Sequence, residues 1–411
     1  MNKPEVKIIL LIIFMISGNV LFASDSTKVE KDRYRKSLRL FYQAGSVLQT
    51  NEFVKGENEA GAPIDKFQSF SIQYGVETDG REIWQQIYAY PTWGFGIYSV
   101  NFFDKDEIGA PTAAYGFINA PFVRLKRWSL NYEVGFGLTW NWKPYDQNLN
   151  PYQYAIGSNK TVFIDVGLNV EVMLGKHFNL TAGGTFTHFS NGATKVPNYG
   201  INLFAPRLGV KYIFKERPEF KTFEIPKYDD EWEYIALVAF SSKQLAYDTT
   251  QVESNPGHHA ETYGVFTFST GVNRQISRKV KFGAGLDIGY DASYNSYIDY
   301  KDGEITRMDA GNDIKLNMGV YGSFELVIHK LSLIVQPGWY LYRAEWRVPE
   351  GSDGSSAIPP RRRSGTSYQR LGIKYHVFDD LFVGINIRAY DFGIADYIEW
   401  NVGYRVKWRK L

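Results

Sequence analysis

The chain has 411 residues with 46 basic and 44 acidic side chains, and its net charge of +2 excludes a nucleic-acid protein held by bulk charge as well as an acidic solvating tail. The absence of cysteine excludes a disulfide framework, a lipoprotein cysteine, a thiol nucleophile and a cysteine-ligated metal. Aromatic residues make up 16% of the chain beside 38 glycines, and a mean hydropathy of −0.30 suits either a soluble protein or a transmembrane β-barrel, in which half of every strand faces a polar lumen.

Lys3 and Lys7 flank the start, Ile8 to Ile16 is an uninterrupted apolar run, and Leu21-Phe22-Ala23 offers a small residue for cleavage. The run is too short to cross a bilayer, so residues 1–23 read as a secretory signal peptide. No later stretch approaches the ~18 consecutive apolar residues of a transmembrane helix. Export without cysteine suits a bacterial envelope.

From Leu38 onward the period is two. Val162, Ile164, Val166, Leu168, Val170, Val172 and Leu174 share one face, opposite Asp165, Gly167, Asn169 and Glu171. Phe282, Ala284, Leu286, Ile288 and Tyr290 oppose Lys281, Gly283, Gly285, Asp287 and Gly289, and Ile398 to Trp408 alternates in the same way. Such runs are long enough to cross a membrane at a tilt, about twice the strand length of a soluble β-sandwich. Tight reversals near Gly175-Lys176, Ser277-Arg278, His329-Lys330 and Asp379-Asp380 alternate with long polar loops, the outer-membrane pattern. The expectation is an all-β transmembrane antiparallel barrel of about sixteen strands.

The strands fall into two halves, residues 24–214 and 232–411, joined by a proline-bearing, charged linker at 215–231 expected on the periplasmic side. The halves read as a tandem repeat, ending on Leu208-Gly209-Val210-Lys211-Tyr212 and Val402-Gly403-Tyr404-Arg405-Val406. Inward glycines at 135, 137, 167, 283, 285 and 289 point to narrow interiors, but glycine also serves strand curvature. Because two barrels in one chain are unusual, one sixteen-stranded barrel is favoured over two small ones. Lumen charges of both signs, among them Glu133, Asp165, Glu171, Lys315, Glu325, Lys374, Arg388 and Arg405, are expected to pair and brace the interior.

One strand carries candidate chemistry. Phe178, Leu180, Ala182 and Phe186 face outward, and His188 and Ser190 share that parity at the end predicted near the outer-leaflet surface. Asn202 has the matching parity on the next strand, so the three converge across a hairpin. A His base, a Ser nucleophile and a group orienting the ring form the acyl-transfer constellation; the plain alternative is an interfacial His and Ser without chemistry. His258-His259 lacks a clear carboxylate partner for a metal, and no metal site or cofactor is expected. Arg361, Arg362 and Arg363 form either a weak site for lipopolysaccharide phosphates or a solvated basic loop.

The stretch Thr187-His188-Phe189-Ser190-Asn191-Gly192, followed by Lys195, Pro197-Asn198 and Gly200-Ile201, resembles the signature of the PagL-like lipid A 3-O-deacylase (acyloxyacyl hydrolase) family of outer-membrane barrels. Gly45 to Asn51 resembles that family's first strand, and the similarity covers about residues 37–214. The resemblance implies lipid A as substrate and the outer-membrane bilayer as partner, with no nucleic acid. It implies His188 as general base, Ser190 as nucleophile and Asn191 as oxyanion donor. Where the family carries its third catalytic residue, a Glu, this chain has Asn202. An amide can hold the imidazole's tautomer but cannot neutralise the imidazolium, a change that costs up to ~10⁴ in rate in serine triads. Arg388-Ala389-Tyr390-Asp391-Phe392, in the corresponding strand of the second half, has neither His nor Ser, so that half reads as a degenerate repeat. The competing expectation is a catalytically decayed barrel acting as porin or scaffold subunit.

Overall fold

In the computed structural model, which describes residues 34–247, 259–294, 296–301, 304–309, 315–343, 357–358, 365–390 and 394–409, the alternating runs are long antiparallel strands. The first half holds β1 (Arg35–Val47), β2 (Lys66–Glu77), β3 (Thr92–Asn101), β4 (Gly109–Arg124), β5 (Trp128–Trp142), β6 (Thr161–Leu174), β7 (Phe178–Ser190) and β8 (Ile201–Ile213). Two short helices, α1 (Glu52–Lys55) and α2 (Ile83–Ile87), interrupt its connections. The second half holds β9 (Glu231–Tyr247), β10 (His259–Gln275), β11 (Val280–Asp291), β12 (Ser296–Lys301), β13 (Glu304–Asp309) and β14 (Leu316–Ile328). It continues with β15 (Leu331–Arg343), β16 (Ala357–Ile358), β17 (Ser367–His376), β18 (Leu381–Tyr390) and β19 (Ile394–Arg409). The signal peptide, His258 and Arg361, Arg362 and Arg363 lie outside the described residues, as does the side chain of His259.

The strands close into two barrels of eight, which corrects the expectation of one sixteen-stranded barrel. β1 pairs with β2 on one edge and with β8 on the other, from Ser37 opposite Ile213 to Val47 opposite Leu203. In the second barrel β9 pairs with β10 and with β19, from Trp400 opposite Phe240 to Arg409 opposite Glu231. β12, β13 and β16 form a separate small sheet. The physical reason lies in the interior, which in an eight-stranded barrel is just wide enough for side chains. Tyr115 lies across the inward glycines of the first barrel: a Cβ on Gly96 would sit 2.6 Å from its Cζ and one on Gly135 would sit 3.1 Å from its Cδ2. In the second barrel Tyr368 covers Gly338 so closely that a Cβ there would overlap its ring. The inward glycines thus mark narrow lumens.

Side chains fill both lumens. At the long-loop end of the first barrel, Tyr98, Phe163, Phe189 and Trp142 pack with Phe53 and Val54 of α1 and with Ile156 from a loop. Below them Arg39 Nη1 donates to Glu133 Oε2 at 2.6 Å, and Arg207 Nη1 lies 3.0 Å from Glu133 Oε1 and 3.2 Å from Asp165 Oδ2. Lys211 pairs with Glu77 and Glu171 near the turn end, where Arg217 of the linker donates to Gly175 O. The second lumen repeats the device with other residues: Arg370 and Arg388 lie between Asp287 and Glu399, while Lys281 pairs with Glu233 and Lys374 with Glu325. The expected pairing of lumen charges is therefore present in both halves.

The barrels touch at both ends. At the turn end Tyr88 Oη donates to Val327 O at 2.7 Å, and Trp84 stacks on His329 with ring centroids 5.5 Å apart. At the loop end the β7–β8 loop of the first barrel meets β9 and β19.

Because breaking a buried charge cluster strands the remaining ions, Glu133→Ala is expected to lower the stability of the first barrel by about 3–5 kcal/mol. The check is the temperature at which the folded barrel loses its fast migration on a semi-native SDS gel. Lys55→Ala, which removes the exposed Lys55–Glu52 pair, is expected to shift that temperature by the equivalent of less than about 1 kcal/mol.

Candidate active site at the loop end of the first barrel

β7 delivers His188 and Ser190 to the loop end, and β8 begins directly after Gly200 has turned the chain back. In the β7–β8 register His188 stands directly opposite Asn202, so the shared parity becomes a cross-strand pair. His188 Nδ1 lies 2.6 Å from Asn202 Oδ1. Asn202 Nδ2 in turn donates to Thr50 Oγ1 at 3.0 Å, which holds the carbonyl side of the amide toward the ring. In that arrangement His188 donates from Nδ1, leaving Nε2 as the proton acceptor.

Gly200 brings the histidine and the serine to one surface. It has φ of 75°, and a Cβ there would sit 3.1 Å from His188 Cε1 and 3.6 Å from Ser190 Cβ. Asn51 fixes this glycine: its Nδ2 donates to Gly200 O at 2.8 Å while its Oδ1 caps α1 through Val54 N. Among the described residues no hydrogen bond joins Ser190 Oγ to His188 Nε2. Apo catalytic contacts of this kind are often open and tighten with substrate. Ser190 itself is only 6% exposed although its parity points out of the barrel, so its side chain is locally sheltered.

Asn191 is the first residue of the loop. Its backbone N–H donates to Asn198 Oδ1 at 3.0 Å and its Nδ2 to Lys195 O at 2.7 Å, so its side chain shapes the loop as well as bordering the site. Gly192 and Ala193 follow with φ of 60° and 57°. Among the described residues neither of their backbone N–H groups donates a hydrogen bond, which leaves two donors beside Ser190.

The structure thus gathers His188, Ser190, Asn191 and Asn202, while Arg361, Arg362 and Arg363 fall outside the described residues. Sequence reasoning missed Thr50, Asn51 and Gly200 as members of the site. The available signal was the phrase Gly45 to Asn51, whose last residues reach the site because β1 is the neighbour of β8.

Two family models match the chain: lipid A 3-O-deacylase (PagL) over residues 68–211, and the acyloxyacyl hydrolase C-terminal domain over residues 232–408. The first takes in β2 to β8 with the whole His188–Asn202 hairpin, and the second takes in the second barrel. The chain belongs to this lipid A 3-O-deacylase and acyloxyacyl hydrolase family. No curated relative matches the sequence. Among solved structures, the chain is similar to an outer membrane channel from Pseudomonas putida F1, with 9% identity over 94% of this chain and 100% of that one, at a TM-score of 0.21. It is also similar to the transport unit of the autotransporter AIDA-I from Escherichia coli, with 12% identity over 97% of each chain, at a TM-score of 0.19. Likenesses at these scores carry no argument about function.

Gly200→Ala tests the packing of the site. The left-handed backbone costs an L-residue about 1–2 kcal/mol, and the methyl group would press on the His188 ring. The expected outcome is a fall of that size in unfolding free energy, read from urea titration in detergent, whereas Ala193→Gly, which relieves a left-handed residue in the same loop, moves the midpoint upward or not at all.

Proposed function

We propose that this protein is an outer-membrane ester hydrolase that removes an acyl chain from lipid A by a serine–histidine mechanism. The observation that carries the reading is the Thr50–Asn202–His188 relay, which sets the imidazole tautomer a general base needs beside Ser190. Membership of the deacylase family supplies the substrate class.

Ser190 Oγ attacks the acyl carbonyl carbon as His188 Nε2 takes the hydroxyl proton. The carbonyl oxygen becomes an oxyanion within reach of the Gly192 and Ala193 N–H groups and the second hydrogen on Asn191 Nδ2. Collapse of the tetrahedral intermediate breaks the ester C–O bond, and His188 returns its proton to the departing sugar oxygen. Water, deprotonated by the same nitrogen, then cleaves the acyl-serine and frees the fatty acid. Asn202 orients the ring throughout but contributes no negative charge to the imidazolium, so the step is slower than with a carboxylate.

The outward placement fits a membrane substrate. Phe186, Phe204, Leu208 and Val166 are exposed on the same face of β6 to β8, an apolar surface suited to acyl chains. An ester approaching within the leaflet reaches the rim of the barrel without entering the filled lumen. The second reading, a decayed scaffold, is favoured by Asn202 itself; the filled lumens weigh against its porin form.

Mass spectrometry of lipid A from cells producing the protein is expected to show loss of one hydroxyacyl mass. His188→Ala and Ser190→Ala, folded to the same level in the outer membrane, are each expected to reduce that conversion by about 10²–10⁴-fold. Unchanged lipid A with the native protein would overturn the reading in favour of the scaffold. Asn202→Asp keeps the size of the side chain and restores the charge. It is expected to raise kcat about tenfold or more, within the ~10⁴-fold that the reverse exchange costs in a serine triad.

A further inference from the structure

Among the described residues the second barrel brings neither a histidine nor a serine to the site, yet it grips the loop that borders Ser190. On β19 the outward residues Trp400, Val402, Tyr404 and Val406 are all exposed, but Ile398, on the same parity, is buried. What covers it is the β7–β8 loop: a Cβ on Gly192 would overlap Ile398 Cγ1 and lie 2.7 Å from its Cδ1. Next to it on β9, Gln244 holds the loop at two points. Its backbone N–H donates to Ala193 O at 3.0 Å, and its side-chain Oε1 accepts from Val196 N at 3.1 Å. The Gln244 amide is oriented in turn by Nε2 donating to Thr262 Oγ1 of β10 at 3.0 Å.

The gripped segment carries Asn191 and the N–H groups of Gly192 and Ala193, which donate to no other described residue. On its other side, Tyr199 N and Gly200 N donate to Tyr154 O and Ala155 O, from the β5–β6 loop of the first barrel. The loop therefore lies between its own barrel and the second one. Gly192 and Ala193 both hold left-handed backbone, a conformation unfavourable for Ala193 that persists where the surroundings impose it.

We propose that Gln244 of the second barrel is a positioning residue for the site of the first, holding the loop 191–196 so that its N–H groups face the carbonyl oxygen of the ester under attack. This rests on the deacylase reading for its catalytic consequence, though not for the grip itself. Gln244 touches neither the substrate nor the reacting atoms in this mechanism, so its loss acts on kcat through the loop and leaves KM nearly unchanged. The role also accounts for fusing a barrel without a His–Ser pair to one that has it.

The test compares Gln244→Leu, which removes the accepting oxygen, with Gln244→Glu, which keeps it. In the full-length protein in detergent, hydrogen exchange of peptides covering residues 191–200 is read by mass spectrometry, and deacylation kinetics are measured on purified lipid A. The expected result for Gln244→Leu is exchange faster by about tenfold or more in the loop, unchanged exchange in β5 to β8, and kcat lower by about tenfold with KM within about twofold. Gln244→Glu is expected to restore both readouts. Loop exchange that does not respond to Gln244→Leu, or a faster loop with unaltered kcat, overturns the proposal. If the native protein leaves lipid A intact, the deacylase reading falls and with it the catalytic consequence. The exchange contrast still decides whether the second barrel holds the loop.

Discussion

Each sheet closes on itself after eight strands, and closure at that number leaves an interior only wide enough for side chains. Everything else in the molecule follows from filling it. The inward positions have to supply both bulk and polarity, and they do so with tyrosines laid over glycines and with arginines and lysines locked onto carboxylates. A buried ion stays charged only when a counter-ion and hydrogen bonds compensate for lost water, which is why these charges come in clusters with Gln73 or Tyr368 as additional partners. Among the described residues a lumen so filled leaves little space for a lipid substrate. The proposed chemistry lies instead on the outer face and the rim, where loops rather than strands define shape.

Under the proposed mechanism the rim site separates a triad's geometric and electrostatic duties. Asn202 performs the geometric one, because its oxygen meets His188 Nδ1 and Thr50 holds its amide from turning over. The electrostatic duty, stabilising the imidazolium formed during proton transfer, has no carboxylate on that strand position. A neutral orienting group is known chemistry in Cys-His-Asn enzymes, where the thiolate needs less help than a serine hydroxyl. Under the proposed mechanism the deficit falls on Ser190, which places more weight on the donors proposed to hold the oxyanion. Those donors sit on a loop braced from both sides, and half of the brace belongs to the second barrel.

Much of this was legible in the residues. Strict alternation named the strands, long loops and tight turns named the two ends, and parity put His188, Ser190 and Asn202 on one face before any register was known. Thr50 and Asn51 were harder, because they reach the site only through the pairing of β1 with β8, a contact between the two ends of the first half. The inward glycines held the answer to barrel number, but glycine in a strand has several uses. Only the side chains laid across them, Tyr115 over Gly96 and Gly135 and Asn317 over Gly289, distinguish a narrow interior from a bend.

Sequence by itself determined the class of fold and the parity of the long alternating strands, because a period of two is a local property that survives any arrangement of neighbours. The family phrase around His188 was equally local, and it identified the chemistry to look for. Tertiary structure alone decided where each sheet closes, since closure depends on which distant edges pair. It alone decided that Ser190 and Ile398 are covered although their parity points outward, because two surfaces shield one another only when both are folded and adjacent. The relation of the second barrel to the site is of this kind. Nothing in the local pattern around Gln244 announces it, and it exists only where the seam between two closed surfaces falls.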